Sequence, residues 1–226
     1  MSIADWDASA GLVVPERLEG RACYGGLDLS STQDITAFVQ VFPNDDGTCE
    51  VLAHFWTPPE TLAERSRRDQ VDYQHWVDLG VMTATPGPVI DTRQVARDVI
   101  ALAERFDIRE IAYDRWGASE TRLNLEDAGL TVVDMGQGYA SMSAPTKGLL
   151  DLVMGRKLRH GGHPVLRWMA DNLVVRTDPS GNMKPDKEKS RQKIDGMAAL
   201  IMALDRAMRN GHGQSIYETE SLLVLG

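Results

Sequence analysis

A mixed α/β fold is what this chain predicts: a five-stranded sheet with three antiparallel then two parallel strands, and helices on both faces. Two observations carry that reading. Three strand-like runs fill residues 23–56, joined by links too short for anything but antiparallel hairpins. Beyond Pro58 and Pro59 the apolar spacing turns helical, and from Glu110 onward short apolar runs alternate with helical stretches. That is the rhythm of parallel strands with helical crossovers. At 226 residues the chain is long enough to bury a full core as one α/β unit.

The elements follow in order. Residues 1–20 are polar with few punctuation signals and read as a lead-in arm or linker to a domain over 21–210. Cys23 to Ser30, Ile35 to Phe42 and Glu50 to Trp56 are the first strands, bounded by the turn at 31–34 and by Pro43 to Gly47. A helix is expected from Glu60 to about Leu79, with Tyr73 and Trp76 on one side, and a loop from Thr83 to Pro88. Asp91 and Thr92 cap a helix carrying Val95, Val99, Ile100, Leu102 and Phe106 at helical spacing. Glu110 to Tyr113 is a short buried strand, Ala118 to Ala128 a helix, and Leu130 to Met135 another strand. Helices then cover Pro145 to Met154 and Pro164 to Leu173. Val174 to Lys184, with turn residues Asp178 to Gly181, reads as a hairpin. The final helix runs from about Gln192 to Arg209 on an apolar face that includes Ile194, Met197, Ile201 and Leu204, and residues 211–226 form a tail.

Composition sets limits on function. No apolar run approaches the roughly 20 residues that span a bilayer, and no charged-then-apolar leader opens the chain, so it reads as intracellular with no membrane partner. Two cysteines, Cys23 and Cys49, fit a reducing compartment and read as buried free thiols beginning two strands. A net charge of -9 argues against a simple nucleic-acid binder. The basic residues are nevertheless clustered. Arg156, Lys157, Arg159 and His160 form one group; Lys184, Lys187, Lys189, Arg191 and Lys193 form another just before Asp195. Each group is either a solvated face or part of a phosphate-facing stripe on an acidic body.

Three aspartates have matched settings. Asp28 ends the run Cys23-Tyr-Gly-Gly-Leu-Asp28, Asp114 ends Ile111-Ala-Tyr-Asp114, and Asp195 opens the last helical pattern. Alone, each suits a bland role: a strand-end cap for Asp114, a helix-start residue for Asp195. The topology, however, sets the fourth strand parallel beside the first. Asp28 and Asp114 then occupy neighbouring strand ends, where α/β sheets place their sites. In the first turn of its helix, Asp195 is favoured as a carboxylate by the dipole. With no histidine or cysteine beside them, three carboxylates point to hard cations, Mg²⁺ or Mn²⁺. Two such ions roughly 4 Å apart serve phosphodiester hydrolysis, one activating water and one stabilising the leaving 3′-oxygen. On this reading Asp28 bridges both ions, and Lys184, Lys187 and Lys193 steady DNA phosphates.

Five stretches carry a family resemblance. Tyr24-Gly-Gly-Leu-Asp-Leu-Ser-Ser-Thr-Gln-Asp-Ile-Thr-Ala37, Ala112-Tyr-Asp-Arg-Trp116 and Lys193-Ile-Asp-Gly-Met-Ala-Ala-Leu200 resemble the nuclease domain of tailed-bacteriophage terminase large subunits. Asp72 to Gly80 and His163 to Asn172 add to it, so the similarity runs from about Glu19 to Arg209. The resemblance implies a ribonuclease H-like fold and a metal-dependent endonuclease that cuts concatemeric viral double-stranded DNA during packaging in the host cytoplasm. It maps the three acidic ligands onto Asp28, Asp114 and Asp195. It also implies the terminase ATPase domain, the small terminase and the portal as partners. No Gly-x-x-x-x-Gly-Lys-Ser/Thr loop occurs, so the ATPase half is not expected in this chain.

Other polar residues rank lower. Asp34 suits turn stabilisation better than metal binding, and Ser30, Ser31 and Thr32 are turn hydroxyls. His160 and His163 lack partner cysteines for zinc, no serine has a His/Asp setting, and Trp116 fits packing better than base stacking. A resolvase-type nuclease of the same fold, an actin-like ATPase lobe suggested by Leu27 to Thr32, and a non-catalytic docking module for the portal or small terminase are the alternatives.

Overall fold

Alternation of apolar side chains builds a sheet that is buried on both faces. A computed structural model describes residues 1–29, 35–114 and 119–210, with the side chain of Ser119 also left aside. Its first strands are β1 (Ala22–Asp28), β2 (Thr36–Pro43) and β3 (Cys49–Thr57), and both pairings are antiparallel. The β2–β3 turn is closed by its own polar residues. Asn44 N–H donates to Thr48 O at 2.8 Å, Asp46 accepts from Thr48 N–H at 2.9 Å, and Gly47 takes the left-handed φ of 75°. In β2, Val39 and Val41 face one core while Phe38 and Phe42 face the other, as a period of two requires.

Beyond β3, the chain makes α2 (Leu62–Asp69) and α3 (Tyr73–Asp78) where the sequence predicts one helix. Gln70 breaks it with a left-handed φ of 54°, and the Asp72 carboxylate restarts it by accepting from His75 N–H at 3.0 Å. The expected loop contains β4 (Thr83–Ala84), two residues paired to the end of β3. Next come α4 (Thr92–Arg105), capped by Asp91 as the sequence indicates, β5 (Asp107–Tyr113), α5 (Ser119–Asp127) and β6 (Val132–Asp134). Parallel pairing of β5 to β1 and of β6 to β5 completes the five predicted strands.

A second departure concerns α6 (Tyr139–Met154), which starts six residues before Pro145 and carries that proline inside it. The sequence reading placed Pro145 at the first turn, its commonest helical position. Another unpredicted edge strand, β7 (Leu158–Arg159), pairs with the start of β3, so the sheet has seven strands among the described residues. Then follow α7 (Pro164–Asn172), the hairpin β8 (Val175–Thr177) and β9 (Met183–Pro185), and α8 (Asp195–Asn210). One core gathers α6, α7 and α8 on a face of the sheet, and the second gathers α4 and α5 on the other. This is the mixed sheet, helix-covered on both sides, that a ribonuclease H-like fold requires.

Residues 1–20 are not a free linker. Ser2 and Asp5 form a capping box for α1 (Ile3–Ala8), and Trp6 on that helix is fully buried. Its indole stacks on His160 with centroids 4.0 Å apart, Ser9 Oγ donates to Leu158 O at 2.6 Å, and Asp7 pairs with Arg167 at 2.7 Å. The group Arg156 to His160 thus belongs to the β7 edge, at the start of β3. Asp28 lies at the other end of the sheet. Cys23 and Cys49 are buried and free, and burial pushes their thiols up to about 12 and about 11.

At Gly26, α8 is seated directly on the backbone of β1. A Cβ on Gly26 would sit 1.9 Å from Ala199 O and 2.8 Å from Ala203 N, both backbone atoms of α8. Gly26→Ala must therefore push the helix off the sheet. We expect a loss of about 3 kcal/mol or more in a urea melt, since the obstacle is backbone and not a movable side chain.

Two histidines set an acid limit. Burial holds His54 and His163 down at about 4, below the ordinary 6.5. A neutral histidine in the folded state binds fewer protons than in the unfolded one. Stability is therefore full above about pH 6.5 and falls as pH drops toward about 4. Urea melts from neutral pH down through this window should show the loss, and His54→Gln should flatten the slope.

Candidate active site

Neighbouring strand ends bring the first two aspartates together. Leu27 lies opposite Tyr113 in the parallel β1–β5 pair, so Asp28 and Asp114 leave the sheet side by side. Asp28 is only 3 % exposed. Asp195 is the first residue of α8, and its side chain is 15 % exposed. Close seating of α8 on β1 at Gly26 carries that helix start along the sheet toward Asp28.

A lysine joins the carboxylates. Lys187 Nζ donates to Asp28 Oδ2 at 2.7 Å and stands 3.6 Å from Asp195 Oδ1. Gln137 Nε2 donates to the other Asp28 oxygen at 3.3 Å. Burial pushes the Asp28 carboxyl above the ordinary range, against the pull of Lys187, and Asp114 adds to the rise. Burial also draws Lys187 down, but Asp28, Asp195 and Asp114 together outweigh it and hold its pKa above the usual value. The two rises have different leading causes: burial for Asp28, and the surrounding carboxylates for Lys187. Among the described residues, no three His, Cys, Asp or Glu side chains lie close enough to hold one metal ion. What spans Asp28 and Asp195 is the Lys187 ammonium.

The turn that presents Lys187 is braced from several sides. Asp186 accepts from Glu188 N–H at 3.2 Å and Lys189 N–H at 3.1 Å, and Ser190 Oγ donates to Asp186 O at 2.7 Å. Met183 N–H of β9 donates to Ser143 Oγ of α6 at 3.1 Å.

The other sequence candidates fall in different places. Lys184 lies with Nζ 5.3 Å from the Tyr139 ring centroid, and Lys193 acts electrostatically on Asp69 of α2. Lys187 is held against both Asp28 and Asp195. His160 is engaged with Trp6, and the His163 ring accepts from Leu166 N–H at 3.5 Å. Asp34, Ser30, Ser31, Thr32, Trp116 and the tail 211–226 lie outside the described residues. Sequence reasoning missed Gln137, whose signal was a side chain between Gly136 and Gly138 directly after a strand. A cavity of about 650 Å³ near His54, Trp56 and Asp98 lies two strands across from Asp28. Within its lining, Trp56 Nε1 donates to Asp98 at 2.7 Å.

Comparison with known proteins gives a consistent picture. Residues 1–211 match the family described as "Terminase large subunit, endonuclease domain". The chain is 40 % identical over 189 residues to the terminase large subunit of Enterobacteria phage HK97, covering 83 % of this chain and 38 % of that protein. It therefore spans less than half of that relative. The crystal structure of the HK97 bacteriophage large terminase superposes with a TM-score of 0.84 at 37 % identity, over 92 % of this chain and 43 % of that one. The large terminase nuclease from thermophilic phage G20c with bound magnesium shares the fold at a TM-score of 0.57 and 15 % identity, over 91 % and 97 % of the two chains.

Proposed function

This chain belongs to the endonuclease-domain family of terminase large subunits, and we propose that it is a metal-dependent nuclease that cuts concatemeric viral double-stranded DNA during genome packaging. One observation carries the reading: carboxylates from the ends of β1 and β5 and the start of α8 act on the Lys187 ammonium. Their donors are the hard oxygens that Mg²⁺ or Mn²⁺ prefers, and the ammonium stands in for the positive charge the site demands. Asp28, Asp114 and Asp195 would hold the metal, two ions in the reading the resemblance favours. When bound, such ions make a water nucleophilic at neutral pH and stabilise the leaving 3′-oxygen.

The remaining work falls to the chain itself. Gln137 fixes one oxygen of Asp28, and burial between sheet and helix limits where that carboxylate can turn. The start of α8 favours Asp195 as a carboxylate. Lys184, Lys187 and Lys193 are assigned to backbone phosphates, which makes binding indifferent to sequence and sensitive to salt. The G20c nuclease, alike in fold, has been solved with bound magnesium, cobalt and zinc. The same reading gives the chain the terminase ATPase domain, the small terminase and the portal as partners, and the host cytoplasm as its place of work. No described helix is long and apolar enough to cross a membrane.

Plasmid nicking tests the metal directly. Cleavage should require Mg²⁺ or Mn²⁺ and disappear with a chelator; full activity in chelator would sink the mechanism.

Asparagine variants test the residues. Asp28→Asn, Asp114→Asn and Asp195→Asn keep size while removing a charge from a crowded negative cluster, so each should fold by circular dichroism. Each should lose cleavage by orders of magnitude. A folded variant that cuts at near the parent rate is not a ligand.

A further inference from the structure

We infer that Lys187 is a built-in competitor for the metal position, an ammonium that must leave Asp28 before a divalent cation can settle there. The inference rests on the metal-site reading above and concerns how that site is loaded.

Three features lead to it. The ammonium lies 2.7 Å from Asp28 Oδ2, on the oxygen a cation would take at about 2.1 Å. Two positive centres cannot share that approach. Second, the contact reaches both Asp28 and Asp195, so one ammonium lies between the two carboxylates that would face a cation. Third, the residue is built to leave. Its turn is fixed by Asp186 and Ser190, yet the side chain is 42 % exposed and enters the site from the rim on a flexible stem.

A consequence concerns DNA. An ammonium displaced from Asp28 stays tethered at the mouth of the site, where a backbone phosphate is its natural partner. A phosphate at the rim draws Lys187 outward and opens the carboxylates to metal; bound metal expels Lys187 toward phosphate. Metal and DNA binding therefore assist each other, as reciprocal coupling demands. The free protein holds its metal weakly, and the nuclease loads fully when duplex is present.

The test measures metal affinity rather than cutting. Mn²⁺ is titrated calorimetrically into the full chain, without DNA, for the parent, Lys187→Met and Asp28→Asn. Lys187→Met should bind Mn²⁺ more tightly by on the order of 5-fold or more, and Asp28→Asn should lose the site. Unchanged or weaker binding by folded Lys187→Met overturns the competition and leaves the metal site standing. No Mn²⁺ binding by either the parent or Lys187→Met, or equal binding by the parent and Asp28→Asn, overturns the site itself and the competition with it. A second measurement needs no variant. Reductive methylation of the parent, mapped by peptide mass, should modify Lys187 faster with Mn²⁺ than with chelator. An equal or slower rate with metal counts against displacement, even if Lys187→Met fails to fold.

Discussion

The approach of α8 to β1 over Gly26 is the constraint on which the arrangement depends. Helices usually pack on sheets through side chains, which hold the two backbones apart. Here a strand residue without a side chain lets the helix backbone come down until only a hydrogen atom fits between Gly26 and Ala199 O. Close seating has two effects. It buries the apolar stripe of α8 against the middle of the sheet, and it fixes the height of the helix start above the strand end. Gly196 continues the theme one residue into α8, where a Cβ would lie 2.7 Å from the Phe55 ring.

From that seat follows the electrostatics. Parallel pairing of β1 with β5 sets Asp28 beside Asp114, and the helix brings Asp195 to the same end. Folding thus assembles like charges that repel in water and repel more strongly when buried. Among the described residues, Lys187 and Gln137 both donate to Asp28 and offset part of that repulsion. Acidic side chains gathered at one end of a folded sheet are the setting in which a cation would be favoured, and the proposed function builds on that.

Much of this was legible in the sequence because the strong signals were local or periodic. The strand runs around Tyr24, Val39 and Val51 and the helical face of Ile201 and Leu204 gave sheet order and helix placement through spacing alone. Asp28 and Asp195 were visible because they stand where a pattern ends or begins. The misses have a different character. The break at Gln70 needed a non-glycine residue in a left-handed conformation, which no composition rule announces. Pro145 inside α6 was read by its commonest habit, and the tertiary fold overrode it. Trp6 was passed over because its partner, His160, lies 154 positions away. Gln137 and the special place of Lys187 also come from chain segments far from Asp28 in sequence, and spacing rules carry no information at that range.

The two buried cysteines make the protein convenient to probe. With their thiols held near 12 and 11, almost none of either is thiolate at neutral pH, and neither reaches solvent readily. Both native thiols should therefore react slowly with thiol reagents at neutral pH. One thiol introduced on the outer side of α6 or at the rim of the site would be the sole fast-reacting nucleophile of its kind among the described residues. A fluorophore or spin label can then report on that spot without first stripping the native cysteines out of β1 and β3, where their loss would disturb the sheet.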